Sequence, residues 1–242
     1  MENKYEIRKA RKVLPPIDLL PPIPHKGRML DVAVFGPESY RNNLEAISKE
    51  YSHPKKLSKI SFHLATTSES ISIAKFGFGN KGEYDAKRDI FDPNWLQANY
   101  IVRTQDGVFA NTKLTDESQL KQLLNKCEKV NGIYLGENDL GFAPYETFET
   151  GVQDCDTFTQ GGLARVLEHT KEKIAENLRA IASPKFYKRE VNVWGFGKVR
   201  EPILRLAALY SVRGLGGRLV VGTSGEGSDE SYGFGVVPAK SE

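Results

Sequence analysis

Two short apolar strands flank a helix near the start of the chain, and this unit limits the fold more than any other stretch. "LDVAVFG" (30–36) has the make-up of a buried strand. "PESYRNNLEAISKEY" puts Pro37 at a helix start and Tyr40, Leu44, Ile47 and Tyr51 at helical spacing. "KISFHLA" (59–65) alternates Ile60, Phe62 and Leu64 with Ser61, His63 and Ala65. A strand–helix–strand unit normally makes a right-handed crossover between parallel strands.

The C-terminal third repeats that order. "REVNVWGFG" reads as a strand, "KVREPILRLAALYSVRG" as a helix apolar nearly all round, and "GRLVVGTS" as a strand. Between the two units, "NYIVRTQDGVFANT" reads as a hairpin turning on Asp106-Gly107. "TDESQLKQLLNKCEKVNG" reads as a helix capped by Thr115, stopped at Asn131-Gly132 and apolar along Leu120, Leu123, Leu124, Cys127 and Val130. A further long helix is expected over 161–183, with Leu163, Val166, Leu167, Thr170, Ile174, Leu178 and Ile181 on one stripe. The expected fold is therefore α/β: a mostly parallel sheet, helices on both faces and an antiparallel hairpin insertion. An irregular β/α barrel is the alternative at this length.

Residues 1–29 carry two Pro-Pro pairs and read as an extended arm, with 30–242 as a single α/β domain. Six aliphatic residues between 13 and 23 are costly to leave in water. The arm packs on its own domain or exchanges with a second copy, which would make a homo-oligomer.

Net charge is +3, from 34 basic and 31 acidic residues, so bulk electrostatics gives no argument for nucleic acid or an anionic membrane. The two cysteines, Cys127 and Cys155, are too few for a disulfide framework and fit a reducing compartment. No apolar run reaches the ~20 residues that span a bilayer. A cytoplasmic location is the expectation.

Three segments are expected at strand ends where ligands bind in open α/β sheets. The first is the hydroxyl-rich "ATTSES", with Thr66, Thr67 and Ser68. The second is "GFGKVR", with Gly195, Gly197 and Lys198, which departs from GxGxxG at Arg200. The third is "GTSGEGS", with Thr223, Ser224 and Gly225, which lacks the lysine of a P-loop. Backbone amides and hydroxyls in such turns suit a phosphate or similar anion. The alternative is plain turns and helix caps.

His63 is a candidate general base whose partner the sequence does not name. Asp154 and Asp156, in an acidic stretch from 131 to 164 without Lys or Arg, are candidates for acid–base work or for holding Mg²⁺ or Mn²⁺. They share a side only if their segment is extended; helix capping is the alternative. The expected function is an enzyme acting on a phosphorylated or otherwise anionic small molecule, assisted by a divalent cation. A non-catalytic assembly or ligand-sensing protein is the competing class.

Overall fold

The computed structural model describes residues 18–38, 40–48, 50–52, 59–79, 96–183, 188–212, 218–224 and 231–238. The described part opens as a hairpin. β1 (Asp18–His25) and β2 (Arg28–Glu38) pair antiparallel and turn on Lys26-Gly27, where φ is 45° and 78°. Two left-handed residues make the primed turn whose twist matches the flanking strands. The second part of the expected arm is thus a sheet strand in which Ile23 is fully buried. Residues 1–17 lie outside the described residues.

The first strand–helix–strand unit takes an unexpected form. After β2 come α1 (Tyr40–Ile47), the separate two-stranded pair β3 (Glu50–Ser52) and β4 (Lys59–Ser61), and β5 (His63–Leu64). β2 and β5 are each antiparallel to β15 (Ser231–Pro238), on opposite edges of it, and Val32 and His63 both face Val236. The two strands therefore run parallel, but the last strand of the chain lies between them.

Alternation sorts the side chains of β2 and β15 onto two faces. Leu30, Val32, Val34, Phe234 and Val236 join the main core, which includes Ile71, Ile73 and Ala74 of α2 (Thr67–Gly79). Ala33 and Phe35 join a smaller core with Ala46 and Ile47 of α1 and with Phe62.

The sheet forks at β6 (Leu96–Arg103). One edge of β6 pairs with β13 (Ile203–Val212). The other edge is divided. Its start meets β15 through Tyr232 and Gly233, and its end meets β7 (Gly107–Ala110). Beyond β7 lie β10 (Gly141–Pro144), β9 (Ile133–Leu135) and β8 (Glu128–Val130). Beyond β13 lie β14 (Arg218–Ser224), β12 (Glu190–Val193) and β11 (Gly151–Asp154).

This thirteen-stranded sheet is mostly antiparallel, which overturns the mostly parallel sheet and the β/α barrel alike. Among the described residues only β12 with β14, and the two-residue contact of β15 with β6, are parallel. The main cause is the segment expected as a helix at 198–214, which is strand β13 instead. Its apolar run has Ala207 and Leu209 in the main core, while Leu206, Ala208 and Tyr210 belong to clusters on the opposite face. A strand buried on both faces has no period to distinguish it from a buried helix.

Two further expectations shift for local reasons. The helix expected from 115 is α3 (Glu117–Asn125), capped by Asp116, and Asn131-Gly132 forms the turn between β8 and β9 rather than a helix stop. The long helix expected over 161–183 is broken at His169 into α5 (Gly162–Glu168) and α6 (Glu176–Ala182). Arg165 holds the break, donating to the carbonyls of Glu172, Asn131 and Val130. Glu168 caps the next helix by accepting from the Asn177 and Leu178 amides. The short α4 (Cys155–Gln160) precedes both. No described helix is long and apolar enough to cross a membrane.

Gly235 lies where β15 is hemmed in by its neighbours. A Cβ there would sit 2.7 Å from the Phe35 ring and 2.9 Å from Phe62 Cβ. Gly235→Ala is expected to lower the unfolding free energy by about 1–3 kcal/mol, as overpacking does. Urea unfolding followed by circular dichroism checks this.

Candidate functional site

The β1–β2 turn delivers His25, Lys26 and Arg28 to the first turns of α2, and a polar network forms there. Glu69 is its centre. Its side chain is 1 % exposed, and its oxygens accept from Arg28 Nη2 at 2.9 Å and from the Thr66 amide at 2.9 Å. His63 Nε2 lies 3.4 Å from the same carboxylate. The Glu69 amide donates in turn to Thr66 Oγ1, at 3.2 Å. Thr66 and Glu69 therefore form a reciprocal capping box at the α2 N-terminus.

Thr66 Oγ1 continues the network by donating to Asp139 Oδ2, 2.7 Å away. Asp139 Oδ1 accepts from Lys26 Nζ at 2.9 Å and lies 3.5 Å from His169 Nδ1. The other ring nitrogen of His169 is 2.9 Å from the Gly136 carbonyl. Asn111 Nδ2 donates to the Asp139 backbone carbonyl at 2.6 Å. Three of the chain's four histidines meet here; the fourth, His53, lies outside the described residues.

Lys26, Asn111, Asn138, Asp139 and His169 all have positive φ, between 45° and 61°. Outside glycine this conformation is uncommon, and it persists only where the surroundings hold it. Five such residues in one connected neighbourhood mark it as held under constraint.

Beside the network lies an open cleft of about 680 Å³ between the hairpin turn and α2. His25, Lys26, Arg28 and Lys75 line it with Met29 and Phe76, and no carboxylate is among the described lining residues. Lys75 Nζ donates to Asn177 Oδ1 at 2.7 Å. The volume falls within the ~300–1,000 Å³ usual for small-molecule sites.

Electrostatics ties network and cleft together. Burial pushes the Glu69 carboxyl up, but hydrogen bonds from His63 and the Thr66 amide, with nearby positive charge, outweigh it and bring the net shift down. Asp139 behaves alike: burial raises it, and Lys26, Thr66 and His169 together lower it further. His25 and His169 are both shifted down, first by burial and then by the charge on Lys26.

The residues singled out from the sequence are dispersed. His63 receives in Glu69 the carboxylate partner that was missing, and Thr66 is a link in the network. Thr67 and Ser68 turn inward, 1 % exposed, and their hydroxyls have no partner among the described residues. Gly195 and Thr223 do meet: Thr223 Oγ1 donates to the Gly195 carbonyl at 3.1 Å, and a Cβ on Gly195 would strike that hydroxyl. The helix that was to follow Gly197 and Lys198 is absent, because β13 stands in its place. The Gly197 carbonyl accepts from Tyr145, and Lys198 is exposed. Ser224 ends β14, and Gly225 lies outside the described residues.

Asp154 accepts from the amides of Asp156 and Thr157 as the cap of α4. Asp156 pairs with Arg179 and Arg189. The segment turns helical at Cys155, so the extended geometry that would aim both carboxylates one way is not formed. Among the described residues no group of three His, Cys, Asp or Glu is arranged to hold a metal ion.

Nothing in the sequence assigns His25, Lys26, Arg28 or Lys75 a role in this site; it suggests Glu69 as a first-turn capping acid, His169 as a surface histidine, and Glu137 or Asp139 as a further cation ligand beside Asp154 and Asp156. One signal was available: "PHKGRM" carries a Lys-Gly pair between extended runs, a hairpin pattern that would bring His25 opposite Arg28. Comparison with models of protein families, with curated proteins and with solved structures finds no match for this chain.

Glu69 gives a pH-dependent prediction. Its carboxyl is lowered in the folded state, so its pairing stabilises the fold above the ordinary carboxylate range and is lost as pH falls through the folded value. Glu69→Ala is expected to cost about 3 kcal/mol near neutral pH, from the broken ion pair and the lost cap. The gap to wild type should narrow as pH falls towards about 3. Urea titrations at a series of pH values measure it.

Proposed function

We propose that this chain binds a small anionic molecule in the cleft between the β1–β2 turn and α2, and acts on it through acid–base groups of the adjoining network. The observation that carries this reading is the wall of the cleft: three cationic side chains and one histidine, with no carboxylate among the described lining residues. Cations gathered in a concave, partly desolvated site focus field on an incoming anion. Met29 and Phe76 add apolar surface for the remainder of a ligand.

The acid–base part of the proposal rests on His63 and Glu69. A carboxylate that is buried and fixed by three partners orients the imidazole beside it, as the orienting acid does in general-base dyads. Arg28 connects this pair to the cleft, since it touches Glu69 and also lines the wall.

Isothermal titration calorimetry with inorganic phosphate, pyrophosphate and citrate tests the reading. At least one of them is expected to bind, and more weakly as salt rises. Lys75→Ala and Arg28→Ala are each expected to reduce affinity about tenfold, the loss of one charge-assisted contact. Absence of heat and of thermal stabilisation with all three anions would overturn it.

A further inference from the structure

We infer that His25 is the hydrogen-bond acceptor of the cleft, and that it selects an oxyanion still carrying an O–H, such as hydrogen phosphate, over a fully deprotonated one such as sulfate. This rests on the anion-binding reading above and names the ligand chemistry of that site.

The argument starts from one hydroxyl. Ser72 Oγ donates to the Ser68 carbonyl at 3.3 Å, the bond one turn back along α2. It has a single hydrogen. The Ser68 carbonyl can only accept, so with the hydroxyl hydrogen turned towards it His25 Nδ1, 2.9 Å from Ser72 Oγ, is the donor of the second bond. A neutral imidazole with its proton on Nδ1 carries a lone pair on Nε2. His25 lines the cleft while being only 3 % exposed, and its Nε2 has no partner among the described residues.

The charges around the ring keep it neutral. Lys26 and Arg28 on its own hairpin disfavour a proton, while Glu69 on α2 and Asp139 from the β9–β10 loop favour one. Burial acts before any of these, against the charged form. Across the cleft α2 contributes Lys75, a further cation. The wall thus offers donors that any oxyanion accepts from, and in His25 Nε2 a buried acceptor that only a protonated oxyanion satisfies. A buried acceptor left unpaired is penalised, so an anion without a hydrogen is discriminated against.

The test is calorimetry of the full chain with phosphate and sulfate at about pH 7.5, where inorganic phosphate is chiefly the dianion with one O–H. Wild type is expected to bind phosphate roughly ten- to a hundredfold more tightly than sulfate, the range of one hydrogen bond to a charged group. In His25→Ala the ratio is expected to fall to within about threefold of unity, chiefly through weaker phosphate binding. Ser72→Ala, which places a good helix former in α2, frees the Nδ1 proton and is expected to shrink the ratio with the ring retained. Equal binding of the two anions by wild type, or a preference that survives His25→Ala in a variant that melts cooperatively, overturns this inference and leaves the proposed function standing. Binding of neither anion overturns this inference, and overturns the proposed function too when pyrophosphate and citrate also fail to bind.

Discussion

A carboxylate that is 1 % exposed must be paired, and Glu69 meets that demand by drawing three elements together. Arg28 comes from the β1–β2 turn, His63 from β5, and the Thr66 amide from the α2 N-terminus. Removing one partner of such a group costs several kcal/mol, more than exposed ion pairs contribute. The position of the hairpin turn over α2 follows from this. So does the cleft, because the turn that supplies Arg28 to Glu69 also carries His25 and Lys26.

The forked sheet serves the same arrangement. β15 is shared among β2, β5 and β6, so the last strand of the chain fixes the first hairpin beside the residues that open α2. Gly235 allows Phe35 and Phe62 to close over that strand. Further along the same edge of β6, the limb through β7, β10 and β9 carries the 136–140 loop, which presents Asp139 to Lys26. Both carboxylates of the network are therefore placed by backbone pairing far from them in sequence.

That distance decides what the sequence could disclose. The hairpin at Asp106-Gly107 and the strand over 30–36 were legible, because turn chemistry and short apolar runs are local. Residues 203–212 were not, since a strand apolar on both faces has no diagnostic period. His169 hid the break between α5 and α6, because the apolar stripe runs on through it while Arg165 and Glu168 bind the interrupted backbone. Within the site, His63 stood out as a histidine on an alternating strand, but its partner Glu69 looked like an ordinary first-turn acid. Asp139 and Lys26 are 113 residues apart, and no local pattern joins them.

Charge balance explains how the network can hold cations at a cleft without collapsing around them. Lys26 and Arg28 each have one carboxylate at 2.9 Å, while Lys75 donates to the amide oxygen of Asn177 and feels the Glu168 carboxylate through space. At an effective dielectric near 20, two unit charges about 4 Å apart interact by roughly 4 kcal/mol. Each ion pair is thus strong enough to fix its cation, and too local to cancel its field on the cleft side. On the proposed reading, an anion entering there would give Lys26, Arg28 and Lys75 each a further partner. It would gain from all three without having to free any of them, provided that it also carries an O–H to donate to the lone pair on His25.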